Sequence, residues 1–142
     1  MNDTVKLMKE ACQGCKYAAE SIKIARGYAK NRELGLILDN YTKDHELLQS
    51  RLSKKIKERG ADEYSHPKMG AAMTKLHTNV SLTMNPSPSN VAKLMINGCN
   101  MGIKTLSKKR NESRFADKEA RELANELIAT EQQMASELLR FL

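Results

Sequence analysis

The chain has 142 residues, a formal charge of +7, 40% hydrophobic and 29% charged residues. That balance excludes a disordered polyelectrolyte, and no run approaches the ~20 apolar residues needed to span a bilayer. Aromatics make up 4%, Trp is absent and Met numbers eight, so the core should be built of Leu, Met, Ile and Ala in packed helices rather than sheets.

The length suits one domain over 1–142. With no apolar leader at MNDTVKLMKEACQGC, the expectation is a cytoplasmic protein whose three Cys residues stay reduced.

In chain order, Asn2 or Asp3 caps a first helix running to about Lys30. Its inward stripe is Val5, Met8, Cys12, Cys15, Ala19 and Ile22, small enough for close helix approach. Asn31 caps a second helix that runs to about Arg59 and stops at Gly60, with Leu34, Leu38, Tyr41, His45, Leu48, Leu52 and Ile56 inward and Asp44 beside them. Ser65 caps a shorter helix edged by Met69, Met73, Leu76 and Val80. After the break at NPSPSN, Ser87 and Pro88 start a helix reaching about Arg110, with Val91, Leu94, Met95, Gly98, Met101 or Gly102, and Leu106 inward. Asp117 caps the last helix, whose stripe is Leu123, Leu127, Met134, Leu138, Phe141 and Leu142. One carboxylate, Glu131, interrupts it. A buried Glu requires a metal, a cation or a hydrogen-bond donor.

Two long helices, a long crossover and two more long helices form a ferritin-like arrangement, a four-helix bundle with a short extra helix in the crossover. Four segments, LMKEACQGCKYAAES, LILDNYTKDHELLQSRL, INGCNMGIKTL and LIATEQQMASELL, resemble an uncharacterised bacterial ferritin-like family, a domain of unknown function. The Asp44-His45 stretch and the EQQMASELLRFL ending are also similar to ferritin-like spore coat proteins. The resemblance implies the fold. Its di-iron members hold two metals with a Glu from each of two helices and a Glu-x-x-His pair from each of the other two. Here the second-helix motif starts at Asp44 and has Leu47 in the imidazole position, and the last starts at Glu131 and has Met134. The lone first-helix Glu is Cys12 or Gln13, and the lone Glu of the helix after the crossover is Cys99 or Asn100. Only Asp44 and Glu131 remain as carboxylates, so the resemblance implies a degenerate metal site without oxygen chemistry or any catalytic residue.

That leaves a non-catalytic protein with a structural or interaction role, in the cytoplasm or in a spore coat, as the first reading. In it no cofactor is expected, and His45 bonds a carboxylate in the core. The second reading is a metal-binding protein or metalloenzyme in which Asp44, Glu131, His45, Cys12, Cys15 and Cys99 hold iron, manganese or zinc. A third is anion or nucleic-acid binding through Lys54, Lys55, Lys57 and Arg59, and through Lys108, Lys109, Arg110 and Arg114. The absence of stacking aromatics beside those clusters speaks against nucleic acid. His66 and His77 join no constellation, and the Cys12-x-x-Cys15 pair follows no strand, so it reads as small core residues. The Met-rich crossover helix is the expected interface of a homodimer.

Overall fold

The computed structural model describes residues 2–62 and 86–142. The short crossover helix and its methionines lie outside the described residues. Among the described residues the fold is all-helical: α1 (Asp3–Tyr28), α2 (Arg32–Glu58), α3 (Pro88–Glu112), α4 (Lys118–Leu138), then a 3-10 turn, Leu139–Phe141.

Each helix begins where a short polar side chain takes a free backbone N–H. Asn2 accepts from Val5 N at 2.8 Å, Asn31 from Leu34 N at 3.0 Å, Ser87 from Asn90 N at 3.2 Å and Asp117 from Ala120 N at 2.9 Å. Asn2, not Asp3, is the first cap. Asp3 instead accepts from Phe115 N at 2.9 Å, and Thr4 accepts from Asp117 N at 2.8 Å. These two bonds tie the start of α1 to the α3–α4 turn. Gly60 ends α2 with φ of +74°, a conformation that costs other residues about 1 kcal/mol or more.

The ends of the helices fix the topology. Glu10 of α1 pairs with Lys109 of α3 at 3.8 Å, so the start of α1 lies against the end of α3. Arg59 reaches Asp117 at 2.6 Å, and Arg140 reaches Glu33 at 3.0 Å, so α2 and α4 are antiparallel. The order is therefore up, down, down, up, with α2 and α3 pointing the same way. Residues 62 and 86 consequently sit at opposite ends of the bundle.

The core falls into two clusters. One, at the α1 N-terminal end, gathers Leu7, Met8, Ala11, Cys12 and Cys15 with Leu48, Leu52, Ile56, Leu106, Leu123 and Leu127. The other, at the opposite end, gathers Ile22, Ala25, Leu34, Leu38, Tyr41, Val91, Met95, Cys99, Met134 and Leu138. Small residues let the helices close up in the first cluster: a Cβ on Gly14 would stand 3.3 Å from Leu127 Cδ2. At the α1–α2 turn the missing side chain of Gly35 admits the Arg26 guanidinium, which bonds Asp39 at 3.0 Å and the Ala29 carbonyl at 3.2 Å.

Four positions depart from the inward stripes. Gly98 and Gly102 are exposed, and Met101 is 57% exposed. On α3 the buried residues are Val91, Ala92, Met95, Cys99 and Leu106, so the face is turned toward Cys99. Past Leu138 the chain tightens to i→i+3 bonding, Leu142 N to Leu139 O at 3.1 Å, which takes Leu142 out of the stripe and into solvent.

Nothing lies within 4 Å of a Cβ built on Gly98. Gly98→Ala should therefore raise the unfolding free energy by about 0.5–1 kcal/mol, the gain in helix propensity alone. Urea denaturation checks this, and a loss of stability would mean that another helix does close on Gly98.

Candidate functional site

Between the two clusters lies a waist where His45 of α2, Gly102 of α3 and Glu131 of α4 come together. His45 is 0% exposed and Glu131 7%. The positions follow from helical spacing. His45 is four residues from Tyr41 and three from Leu48, and Glu131 is three from both Ile128 and Met134, so each polar side chain is carried inward on an apolar stripe.

The two side chains satisfy each other. His45 Nε2 bonds Glu131 Oε1 in a short contact, and His45 Nδ1 lies 2.6 Å from the Tyr41 carbonyl oxygen. A carbonyl can only accept, and a carboxylate can only accept. The Tyr41 carbonyl therefore takes a proton from Nδ1, and Nε2 shares a proton with Glu131. The electrostatics agree in direction. Burial, the largest influence, pulls the His45 pKa down, but the Glu131 bond and charge, the Tyr41 carbonyl and Asp44 together outweigh it and hold it above its ordinary value.

The rest of the waist faces the same carboxylate. The Gly102 backbone runs beside it, with a built Cβ 3.8 Å from both Glu131 Cδ and Oε2. Burial raises the Cys99 thiol pKa far above its ordinary value, and the Glu131 charge and a hydrogen bond to Glu131 add to it. Cys15 is raised likewise, first by burial, then by Cys12, Glu131 and Glu126. These two are neutral thiols, poor nucleophiles and poor ligands until deprotonated. Cys12, also buried, directs its sulfur to the Gln49 carbonyl at 3.7 Å. Tyr41 is raised by burial and by a hydrogen bond to Glu137.

Of the six sequence-derived candidates, Glu131, His45, Cys12, Cys15 and Cys99 are buried, and Asp44 is exposed on the outer side of α2. Leu47, in the imidazole position of the second-helix motif, is 66% exposed. The α2 frame that begins at Asp44 thus points outward, and the inward residue is His45, one position on. Among the described residues no group of three or more His, Cys, Asp and Glu side chains is arranged to hold a metal ion. The donors at the waist do not fit a di-iron centre, because the one buried carboxylate and the one buried imidazole are bonded to each other. Sequence reasoning missed the Gly102 contact. The sequence places Gly98, and Met101 or Gly102, inward, but of the two glycines only Gly102 faces a side chain of another helix.

Comparison with protein-family models, with curated proteins and with solved structures finds no match.

The pair makes a pH-dependent contribution to stability. His45 has a folded pKa above its unfolded value of about 6.5. Its contribution is fully present below about pH 6.5 and is lost as pH rises through the folded pKa. Glu131→Gln keeps a neutral hydrogen bond to the ring and should cost about 1 kcal/mol near pH 6, shrinking as pH rises through the folded pKa of His45. His45→Ala strands the carboxylate and should cost about 3–5 kcal/mol. Unfolding curves of the three proteins between about pH 5.5 and 9 check this, and a pH-independent gap between wild type and Glu131→Gln would contradict it.

Proposed function

We propose that this chain is a ferritin-like bundle that has given up metal chemistry, and that it acts as a non-catalytic structural or interaction protein. The single observation that carries this reading is the bonding of Glu131 by His45. The carboxylate position is occupied by an internal hydrogen-bonded pair, and beside it stand the Gly102 backbone and the neutral thiols of Cys99 and Cys15. The up, down, down, up order supports the ferritin-like part of the reading, because it is the order that requires a long crossover between the second and third long helices. The exposed position of Leu47 supports the non-catalytic part: even a His there would point to solvent and not toward Glu131.

A catalytic centre needs ligands of fixed number and geometry. Opening this one to a metal would require breaking the buried His45–Glu131 bond first. No helix among the described residues is long and apolar enough to cross a membrane.

Elemental analysis of untagged protein, as purified and after anaerobic incubation with ferrous iron, manganese or zinc and gel filtration, tests the reading. The expected result is well below one metal per chain in every case, together with no oxygen uptake on aeration of the iron sample. Near-stoichiometric metal that is lost in Glu131→Gln would overturn it and make the pair a ligand set.

A further inference from the structure

Of the four helices, α3 carries the largest net positive charge. The helix carries Lys93, Lys104, Lys108, Lys109 and Arg110 against the single carboxylate Glu112. By contrast, α4 carries Glu119, Glu122, Glu126, Glu131 and Glu137 against Lys118 and Arg121. The basic clusters visible in the sequence are partly neutralised in the fold. Lys55 and Arg59 pair with Glu119 and Asp117, Lys109 with Glu10, and Arg110 bonds the Asn125 side chain at 2.7 Å. Lys108 of the second cluster also belongs to a longer stripe on the outside of α3.

Residues 93, 97, 100, 104, 108 and 111 recur at three- and four-residue intervals and fall within about 80° of the helix surface at 100° per residue. They are Lys93, Asn97, Asn100, Lys104, Lys108 and Asn111, all exposed, on the side of α3 opposite Met95 and Cys99. The stripe is about 27 Å long at 1.5 Å per residue. Lys93 and Lys104 make no ion pair among the described residues, and Lys108 has only Glu112 of its own helix, at 3.9 Å. Every side chain on the stripe can donate hydrogen bonds, and none is a carboxylate.

We propose that this stripe binds the phosphate backbone of double-stranded nucleic acid. Its composition selects that partner over two others. Protein interfaces are anchored by aromatic, Met and Arg side chains and are depleted in Lys, and the stripe has the reverse composition. A helix that lies on a lipid surface needs an apolar face to insert, and the apolar face of α3 is already buried in the core. Lys and Asn are instead common phosphate contacts, the first for charge and the second for hydrogen bonding. The length matches about eight base pairs at 3.4 Å each. With three lysines the contact is sequence-independent and strongly salt-dependent. The missing aromatics, which argue against single-strand stacking, are no obstacle to backbone binding.

The test is fluorescence anisotropy with a labelled 20-base-pair DNA duplex across salt concentrations. Three phosphate contacts give a log–log salt slope of about −2.7, so binding should weaken about 40-fold between 50 and 200 mM salt. The triple variant Lys93→Gln, Lys104→Gln, Lys108→Gln should lose tenfold or more at about 50 mM salt, with the slope reduced toward zero. A control triple variant, Lys6→Gln, Lys30→Gln, Lys43→Gln, removes the same charge from exposed positions on α1, the α1–α2 turn and α2, and should bind as wild type. Equal losses in both variants would assign the binding to net charge and overturn the proposal. Failure of the wild-type protein to bind the duplex at 50 mM salt would also overturn it, as would binding to phosphatidylserine vesicles in preference to the duplex. Circular dichroism melts of both variants exclude unfolding as the cause, since all six positions are exposed.

Discussion

The bond between His45 and Glu131 is the constraint on which the rest of this bundle depends. Each partner alone is a buried charge in an apolar interior, and each would be expelled or neutralised. Together, and with the Tyr41 carbonyl on the far side of the ring, they leave no acceptor unmet and no donor idle. Among the described residues no buried side-chain nitrogen or oxygen lacks a partner. The pair joins α2 to α4, helices that share few other polar links in the interior, and it divides the apolar core into two clusters. Apolar packing alone would tolerate a slide of one helix along another by a turn. A single hydrogen-bonded pair at the waist does not, since a shift of about 5.4 Å would strand both charges. The device resembles the lone polar residue that sets register in coiled coils.

The two ends of the bundle are held differently. At the α1 N-terminal end, backbone N–H groups of the α3–α4 turn are taken by Asp3 and Thr4, and Arg59 and Lys55 meet Asp117 and Glu119. These surface pairs are each worth little, but several charges converge there in a network. Asp117 serves twice, as cap of α4 and as partner of Arg59, and its pKa is lowered first by the Ala120 N–H and then by Arg59. Charge consumed in this network is removed from the surface, whereas Lys93 and Lys104 on the outside of α3 make no ion pair among the described residues.

Much of the fold was legible in the sequence because its signals are local. Asn31, Ser87 and Asp117 act as caps by virtue of their own side chains, and Gly60 ends a helix by virtue of its own φ. The stripes of α1, α2 and α4 were legible because one face of each is buried along its length. The site was legible in part. Glu131 on an apolar stripe required a partner, and His45 on another stripe was a candidate. That they meet depends on how far α2 and α4 slide past each other, which no local pattern records. The α3 stripe misled for a related reason. Gly98 and Gly102 carry no side chain to mark a face, and Met101 is apolar yet exposed, so the true inward direction was set by packing against α4. The Asp44 frame failed because a motif assigned by resemblance carries a register with it, and a one-residue offset turns a helical side chain by about 100°.

The central claim is that His45 is a doubly protonated ring held between two acceptors in a closed core. Nitrogen-15 NMR of the ring-labelled protein, titrated from about pH 6 to 9, tests it most directly. Two N–H signals at His45, persisting well above the pH at which an ordinary histidine titrates, and lost on Glu131→Gln, are the expected result. A single protonated nitrogen, or titration near the ordinary value of about 6.5, would show that the pair does not share charge and that something else holds the waist together.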